Sequence, residues 1–349
     1  MSCSRRRIIP IFIPNLGCGH ECVFCDQRLI SGEHKDISAD DVRKICAEAM
    51  TSAPAEKTSA PAEVAFYGGS FTAIPTQRQN ELLEAVKPFL DQNPQNSIRV
   101  STRPDCIDRQ DADRLKNFGV GVVELGAQSM CDDVLALSKR SHTADDVVRA
   151  SGIIKDAGFK LILQMMTGLP GDTYDKSIYS AGRIIGLRPD GARVYPAVIV
   201  SGTELFNMWR EGRYREHTVE EAVEWCAGIC PLFDKAGIPV IRLGLNPSDS
   251  LSSGGAAAGA YHPAFGELVY SRIYYDKTVS ALNGVEPGSG AIITVAAADV
   301  SKMTGQRRCN VYKLIDKFSL SSLKIVGSDI GSGEIMIEIM PRRVYNPWQ

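Results

Sequence analysis

The chain has 349 residues, 44% of them apolar and 23% charged, with a net charge of −2. Those values belong to an ordinary globular protein and exclude a disordered chain, a membrane-embedded one, and one that binds nucleic acid through its overall charge. No stretch nears the roughly 18 apolar residues that span a bilayer, and ten cysteines without a signal-peptide pattern point to a reducing cytoplasm.

Ile8 to Pro14 (IIPIFIP) is apolar and β-branched, which predicts a buried first strand, broken by Asn15-Leu16-Gly17. A CxxxCxxC run follows in the loop: Cys18, Cys22 and Cys25, with Phe24 before the last cysteine. Three thiolates on a cubane [4Fe–4S] cluster leave one iron without a protein ligand, and an open iron chelates a substrate or cofactor. Structural zinc is the competing reading, but it closes a tetrahedron with four ligands, often as two CxxC units, and no second CxxC unit lies downstream. His20 is a further donor inside the run. A disulfide with a spare thiol is the third reading, opposed by a reducing compartment.

Ser38-Ala39-Asp40-Asp41 caps a helix with Val42, Ile45, Ala49 and Met50 on its apolar positions, and TSAPAEK from Thr51 is then repeated as TSAPAE from Thr58 to Glu63, a loop duplication. Strand two is Glu63–Tyr67, ending in Gly68-Gly69-Ser70; a helix with Leu82, Leu83, Val86, Phe89 and Leu90 follows. Strand three is Ser97–Ser101 and strand four Gly121–Leu125. Thr143 opens the next helix and Gly158 stops it. Strand five is Lys160–Met166, strand six Ala192–Val200 with Pro196 inside it, and after a helix from Thr218 to Ala236 comes a further strand at Pro239–Leu243. Strand and helix alternate about six times, which demands a parallel sheet with right-handed crossovers. The polar and glycine-rich segments all follow strands, so they gather at the C-terminal edge, where α/β ligand sites lie.

The CxxxCxxC run resembles the signature of the radical S-adenosylmethionine (radical SAM) superfamily. Within it the chain is similar to the Elongator catalytic subunit and the oxygen-independent coproporphyrinogen III oxidase group. Gly17–Gln27, Tyr67–Phe71, Ser101–Asp105, Val123–Ser129, Gly168–Gly171 and Arg193–Arg210 carry the likeness. The resemblance implies an α/β fold with a partial (β/α)6 barrel at 1–245; composition adds a Gly/Ala-rich connecting loop at 246–264, and the pattern of the tail a small α+β C-terminal domain at 265–349. It implies a [4Fe–4S] cluster on Cys18, Cys22 and Cys25, S-adenosylmethionine as cofactor, and a ferredoxin- or flavodoxin-type electron donor. The expected chemistry is reductive cleavage of the cofactor to a 5′-deoxyadenosyl radical that abstracts hydrogen from a substrate.

The same resemblance assigns the cofactor contacts. Phe24 lies beside the adenine, and the backbone of Gly68, Gly69 and Ser70 meets the methionine amino group; Ser70 replaces the usual acidic residue. Gln128 and Arg140 align with residues that reach the ribose and carboxylate. Gln164 stands where the porphyrinogen relatives carry an acid, a departure that weakens the ribose contact there. From the residues alone, Glu124 inside strand four needs a partner, and Arg193 and Tyr195 suit either substrate contact or packing. Cys106 and Cys131 follow strands on the cluster's side, and Cys226 and Cys230 fill a helix face.

In the tail, a strand (Ala291–Val295), a short helix, the turn Gly305-Gln306-Arg307-Arg308, a helix (Cys309–Phe318) and two strands are similar to a KH module, which clamps RNA in a GxxG loop. Arg308 stands in place of the second glycine. Residues 301–349 carry eight Lys or Arg against four Asp or Glu, a net of +4 that favours a polyanion. A small α+β packing lid is the equal alternative. Three functions therefore compete: RNA modification, with tRNA as the expected class; radical chemistry on a small molecule such as a tetrapyrrole; and iron–sulfur or zinc RNA binding without catalysis.

Overall fold

The computed structural model describes residues 7–19, 22–33, 35–51 and 61–341. His20, most of the duplicated TSAPAE segment and the basic residues beyond 341 lie outside the described residues. The chain divides into two compact units, one holding the residues up to 222 with 229–263, the other 223–228 with those from 264 on.

The first unit carries β1 (Arg7–Phe12), β2 (Ala62–Tyr67), β3 (Ser97–Thr102), β4 (Val120–Gln128), β5 (Lys160–Thr167), β6 (Gly191–Pro196), β7 (Val198–Val200), β8 (Val240–Leu243) and β9 (Ala256–Gly259). Seven of these form one sheet in the order β1-β2-β3-β4-β5-β6-β8, parallel at every step. Side chains from both ends of the sheet line one cavity, so the parallel sheet that the strand–helix alternation demands is curled into an open half-barrel, as the resemblance implies. Pro10 sits in β1, an edge strand, where a residue without an N–H is tolerated.

Alternation along each strand divides its side chains between two environments. Val64, Phe66, Ile98, Val100, Val123, Leu125, Leu161, Leu163, Ala192 and Val194 are fully buried and form the apolar layer. Glu63, Tyr67, Arg99, Ser101, Glu124, Gln164, Arg193 and Tyr195 fall between them and line the cavity. Helices cover the apolar layer. In Ala144–Asp156, Val147, Ala150 and Ile154 point inward, and Thr143 and Asp146 close a reciprocal capping box. Such a cap stabilises the helix by about 1 kcal/mol.

The strand expected over Ala192–Val200 is split. Pro196 ends β6, and the chain then enters β7, which pairs antiparallel with β9. The Gly/Ala-rich stretch at 246–264, expected as a connecting loop, thus contains a strand and, before it, a helical turn at Leu251–Gly255.

The second unit is built on β10 (Gly290–Ala296), β11 (Ser322–Ser328) and β12 (Ile335–Met340), in the order β11-β10-β12. The central β10 is parallel to β11 and antiparallel to β12. Ala291, Ile293 and Val295 face a core shared with Tyr274, Leu282, Met303, Val311 and Leu314. Asp299 is buried at its edge, where its carboxylate accepts from Tyr274 at 2.7 Å, Ser332 at 2.7 Å and Lys302 at 2.6 Å. Arg307 and Arg308 are exposed, with left-handed backbone ahead of the helix Cys309–Phe318.

Candidate active site

The cysteine loop is fixed by backbone contacts before any side chain is considered. The Ile13 amide donates to Tyr67 O at 2.8 Å, Asn15 to Gly68 O at 2.8 Å and Ser70 to Leu16 O at 2.9 Å, lacing the end of β1 to the end of β2. A Cβ on Gly69 would stand 2.4 Å from Leu16 O, and one on Gly17 would stand 2.2 Å from Ser70 O. Glycine at these two positions therefore lets the loops interlock.

Beyond the turn, Val23 is buried against Ile199, Leu205 and Tyr214, and its amide donates to Ser138 O at 3.2 Å. Asp26 caps the short helix Gln27–Ser31 by accepting from the Leu29 amide. Between these anchors Cys18, Cys22, Phe24 and Cys25 open onto a cavity of about 1560 Å³ inside the curled sheet. Gly68, Gly69, Gln128 and Arg140 line the same cavity. Ser70 is not on its wall: the residue is 1% exposed, and its hydroxyl meets Thr102 Oγ1 at 2.9 Å and accepts from the Arg103 amide at 3.1 Å.

Gln128 reaches the cavity through an irregularity. The β4–β5 register slips between Gly126 and Gln128, and Gln128 takes a φ of 63°, which re-aims its side chain. Its carbonyl oxygen accepts from Gln164 Nε2 at 3.4 Å. Arg140 follows the helix Asp132–Leu137 and spans to the cysteine loop. Its Nη1 donates to Cys22 Sγ at 3.1 Å and its Nη2 to Gly126 O at 3.0 Å. Behind it, His142 is buried with Nε2 on Ala127 O at 3.0 Å, and burial with the Arg140 charge pushes the imidazole down to about 4.

Three thiols facing one cavity form a soft donor set that suits iron–sulfur ligation. Burial, and next the Cys22 sulfur, push the Cys25 thiol up to about 12, and burial also raises Cys18. As bare thiols Cys18 and Cys25 stay protonated, so a metal centre would supply the positive charge that makes them thiolates. Two donors already address sulfur, Arg140 on Cys22 and Gln27 Nε2 on Cys25 at 3.2 Å. Among the described residues no three His, Cys, Asp or Glu side chains converge tightly enough to hold one ion. A cubane does not require that, since each cysteine binds its own iron. The residues fit the cluster.

Below the loops, the inner wall is a chain of alternating charge that sequence reasoning reached only in part. Arg99 Nε donates to Glu63 at 2.6 Å, Arg99 Nη1 lies 3.5 Å from Glu124, and Arg193 Nε donates to Glu124 at 3.0 Å. Arg193 also donates to the hydroxyls of Tyr195 at 3.2 Å and Tyr67 at 3.1 Å. Burial works against the Arg193 charge, but Glu124 and the two tyrosines outweigh it and keep the guanidinium protonated. Glu124, noted as needing a partner, has two. Glu63, Tyr67, Arg99 and Ser101 were missed, although charged residues at alternate strand positions were the available signal. Arg99 Nη1 and Ser101 Oγ are buried with no hydrogen-bond partner among the described residues.

Cys106 and Cys131 fall outside the residues lining the cavity. Cys131 Sγ lies 3.9 Å from both Lys176 O and Ser180 Oγ, while burial raises the Cys106 thiol beside Asp105. Cys226 and Cys230 are buried core residues.

Residues 12–179 match the Radical SAM superfamily, and residues 189–275 match the Radical_SAM C-terminal domain. A tRNA uridine(34) acetyltransferase of Methanocaldococcus jannaschii is 33% identical over 131 residues, 37% of this chain and 24% of that protein. Elongator complex protein 3 of Homo sapiens is 30% identical over 186 residues, 47% of this chain and 34% of its own length. The chain thus spans about a third or less of the length of these curated relatives. The solved structure of the archaeal Methanocaldococcus infernus Elp3 with an N-terminal deletion superposes with a TM-score of 0.59 at 21% identity, covering 78% of this chain and 63% of that one. The half-barrel, its cysteine loop and these matches make one statement: the chain belongs to the radical SAM superfamily and is an enzyme of it. That family implies S-adenosylmethionine and a [4Fe–4S] cluster as cofactors.

Proposed function

We propose that this enzyme carries the cluster on Cys18, Cys22 and Cys25, binds S-adenosylmethionine beside it, and modifies an RNA, with tRNA as the substrate class. The observation that carries the reading is the convergence of three thiols, the glycine-rich end of β2, Gln128 and Arg140 on one cavity. Together the cluster and cofactor supply reductive cleavage to a 5′-deoxyadenosyl radical. The chain's own part is placement. Phe24 offers an apolar face to the adenine, Gly68 and Gly69 offer bare backbone to the methionine amino group, and Gln128 and Arg140 offer donors to the ribose and carboxylate. Ser70 contributes by tying the β2 loop to Thr102 and the Arg103 amide. Electrons come from a ferredoxin- or flavodoxin-type donor in the cytoplasm.

A volume of about 1560 Å³ exceeds the ~300–1,000 Å³ of a site for one small ligand, leaving room for a substrate group beside the cofactor. The ionic wall of Glu63, Arg99, Glu124 and Arg193 suits a polar substrate group such as a base. For the second unit, the exposed Arg307 and Arg308 favour contact with an RNA backbone, with residues 265–349 as the RNA-facing module, 1–245 as the radical domain and 246–264 connecting them. The name of one curated relative, a tRNA uridine(34) acetyltransferase, points the same way.

Anaerobic reconstitution with iron and sulfide, followed by dithionite and S-adenosylmethionine, tests the chemistry through release of 5′-deoxyadenosine. Release by the native chain and its loss in Cys22→Ala are expected. A reducible cluster that never cleaves the cofactor refutes the reading. Adding bulk tRNA tests the substrate class: release should rise with tRNA and not with a porphyrinogen.

A further inference from the structure

We infer that Arg140 acts on the cluster through Cys22, setting how readily the cluster accepts an electron before any cofactor is bound. The inference rests on the cluster-binding reading above and adds a role that cofactor contact alone does not require. Three observations carry it. The guanidinium is held at both ends, Nη1 on Cys22 Sγ at 3.1 Å and Nη2 on Gly126 O at 3.0 Å. The turn that bears it is fixed by the Arg140 amide on Leu135 O at 2.9 Å and by Val23 N on Ser138 O at 3.2 Å, which ties that turn to the cysteine loop itself. Its partners are a sulfur and a backbone carbonyl rather than a carboxylate, so its charge is directed at the sulfur.

Reduction places an additional electron on the irons and their sulfurs. A cationic N–H donor at a ligating thiolate stabilises that more negative state and raises the reduction potential. Gln27 makes the neutral counterpart on Cys25 at 3.2 Å. Hydrogen bonds from a charged donor are roughly twice as strong as neutral ones, so Arg140 is the larger effector of the two. Arg140 is a positioning and tuning residue here.

The test is a redox titration of the reconstituted full chain, followed by electron paramagnetic resonance of the reduced cluster, without S-adenosylmethionine. In Arg140→Met the ratio of reduced to oxidised cluster at a fixed potential should fall about tenfold, a midpoint lower by about 59 mV for one electron. Gln27→Leu should shift it less in the same direction, and Lys139→Ala, which removes the neighbouring cation paired with Glu204, should leave it unchanged. Arg140→Lys, which keeps the charge but loses the fork, should fall between native and Arg140→Met; it also serves if Arg140→Met fails to assemble. Equal midpoints in the native chain and either Arg140 variant at matched iron content overturn the inference, as does an equal shift in Lys139→Ala. A native chain that takes up no iron and sulfide instead refutes the reading on which the inference rests.

Discussion

The rim and the inner wall of the half-barrel face the same cavity but are held by different physics. The rim is backbone: loops laced by amide–carbonyl bonds, with Asn15, Gln128 and Lys139 in left-handed conformations and Gly17 and Gly69 where a Cβ has no room. The wall is side chain: Glu63, Arg99, Glu124 and Arg193 on four different strands, joined into one buried ionic chain. The rim presents soft and polar atoms and tolerates changes to its exposed side chains. The wall presents charges whose neighbours have already neutralised them, and it depends on every member being present.

The sharpest break of this comparison is at the rim. Cys22→Ala should reduce cofactor cleavage by more than about 100-fold, while urea unfolding of the unloaded chain stays within about 0.5 kcal/mol of native. The wall should answer in the opposite way. Glu124→Leu leaves Arg193 without its carboxylate and Arg99 with one, and breaking a buried pair of this kind costs about 3–5 kcal/mol, read from the urea midpoint.

A pH profile separates the two regions again. His142, behind the rim, is held neutral with its group pushed down to about 4 from an ordinary 6.5, and so is His217 beneath the Gly168 turn. The unfolded chain binds these protons between pH 6.5 and 4 and the native chain does not. Stability is therefore full above pH 6.5 and declines as pH falls toward 4, by up to about 3 kcal/mol per histidine. His142→Gln should flatten part of that decline, whereas wall variants should leave its slope unchanged. Gly69→Ala is expected to cost about 1–3 kcal/mol through the clash with Leu16 O and to lower iron content after reconstitution. The smallest effect belongs to Ser101→Ala, which removes a buried hydroxyl with no partner among the described residues; its unfolding midpoint should move by less than about 0.5 kcal/mol.

Much of this was legible in advance. The cysteine spacing, the strand-ending glycines and the alternation of strand and helix are local patterns, and local patterns dictate a parallel sheet with its ligand groups on one edge. Helix ends were equally readable, because Thr143 and Thr218 announce their capping boxes within four residues. Other features needed the surroundings to appear. Gly69 also makes room for Leu16 O, a contact between chain segments more than fifty residues apart. The run from Ala192 to Val200 looks like one strand, but beyond Pro196 the chain finds a different partner in β9.

The sequence by itself determined a loop of three thiols and a parallel sheet with strand-ending polar loops, because both are written in spacings of a few residues; the barrel and the class of chemistry came with the family resemblance. Tertiary structure decided which polar groups share the cavity. Arg99 reaches Glu63 across 36 positions and Arg193 reaches Glu124 across 69, while Cys106 and Cys131, equally eligible by their place after strands, fall outside the lining. Curling the sheet is what selects among them: it turns one face of every strand toward a common interior, and no periodicity along a single strand specifies which distant residues that interior will join.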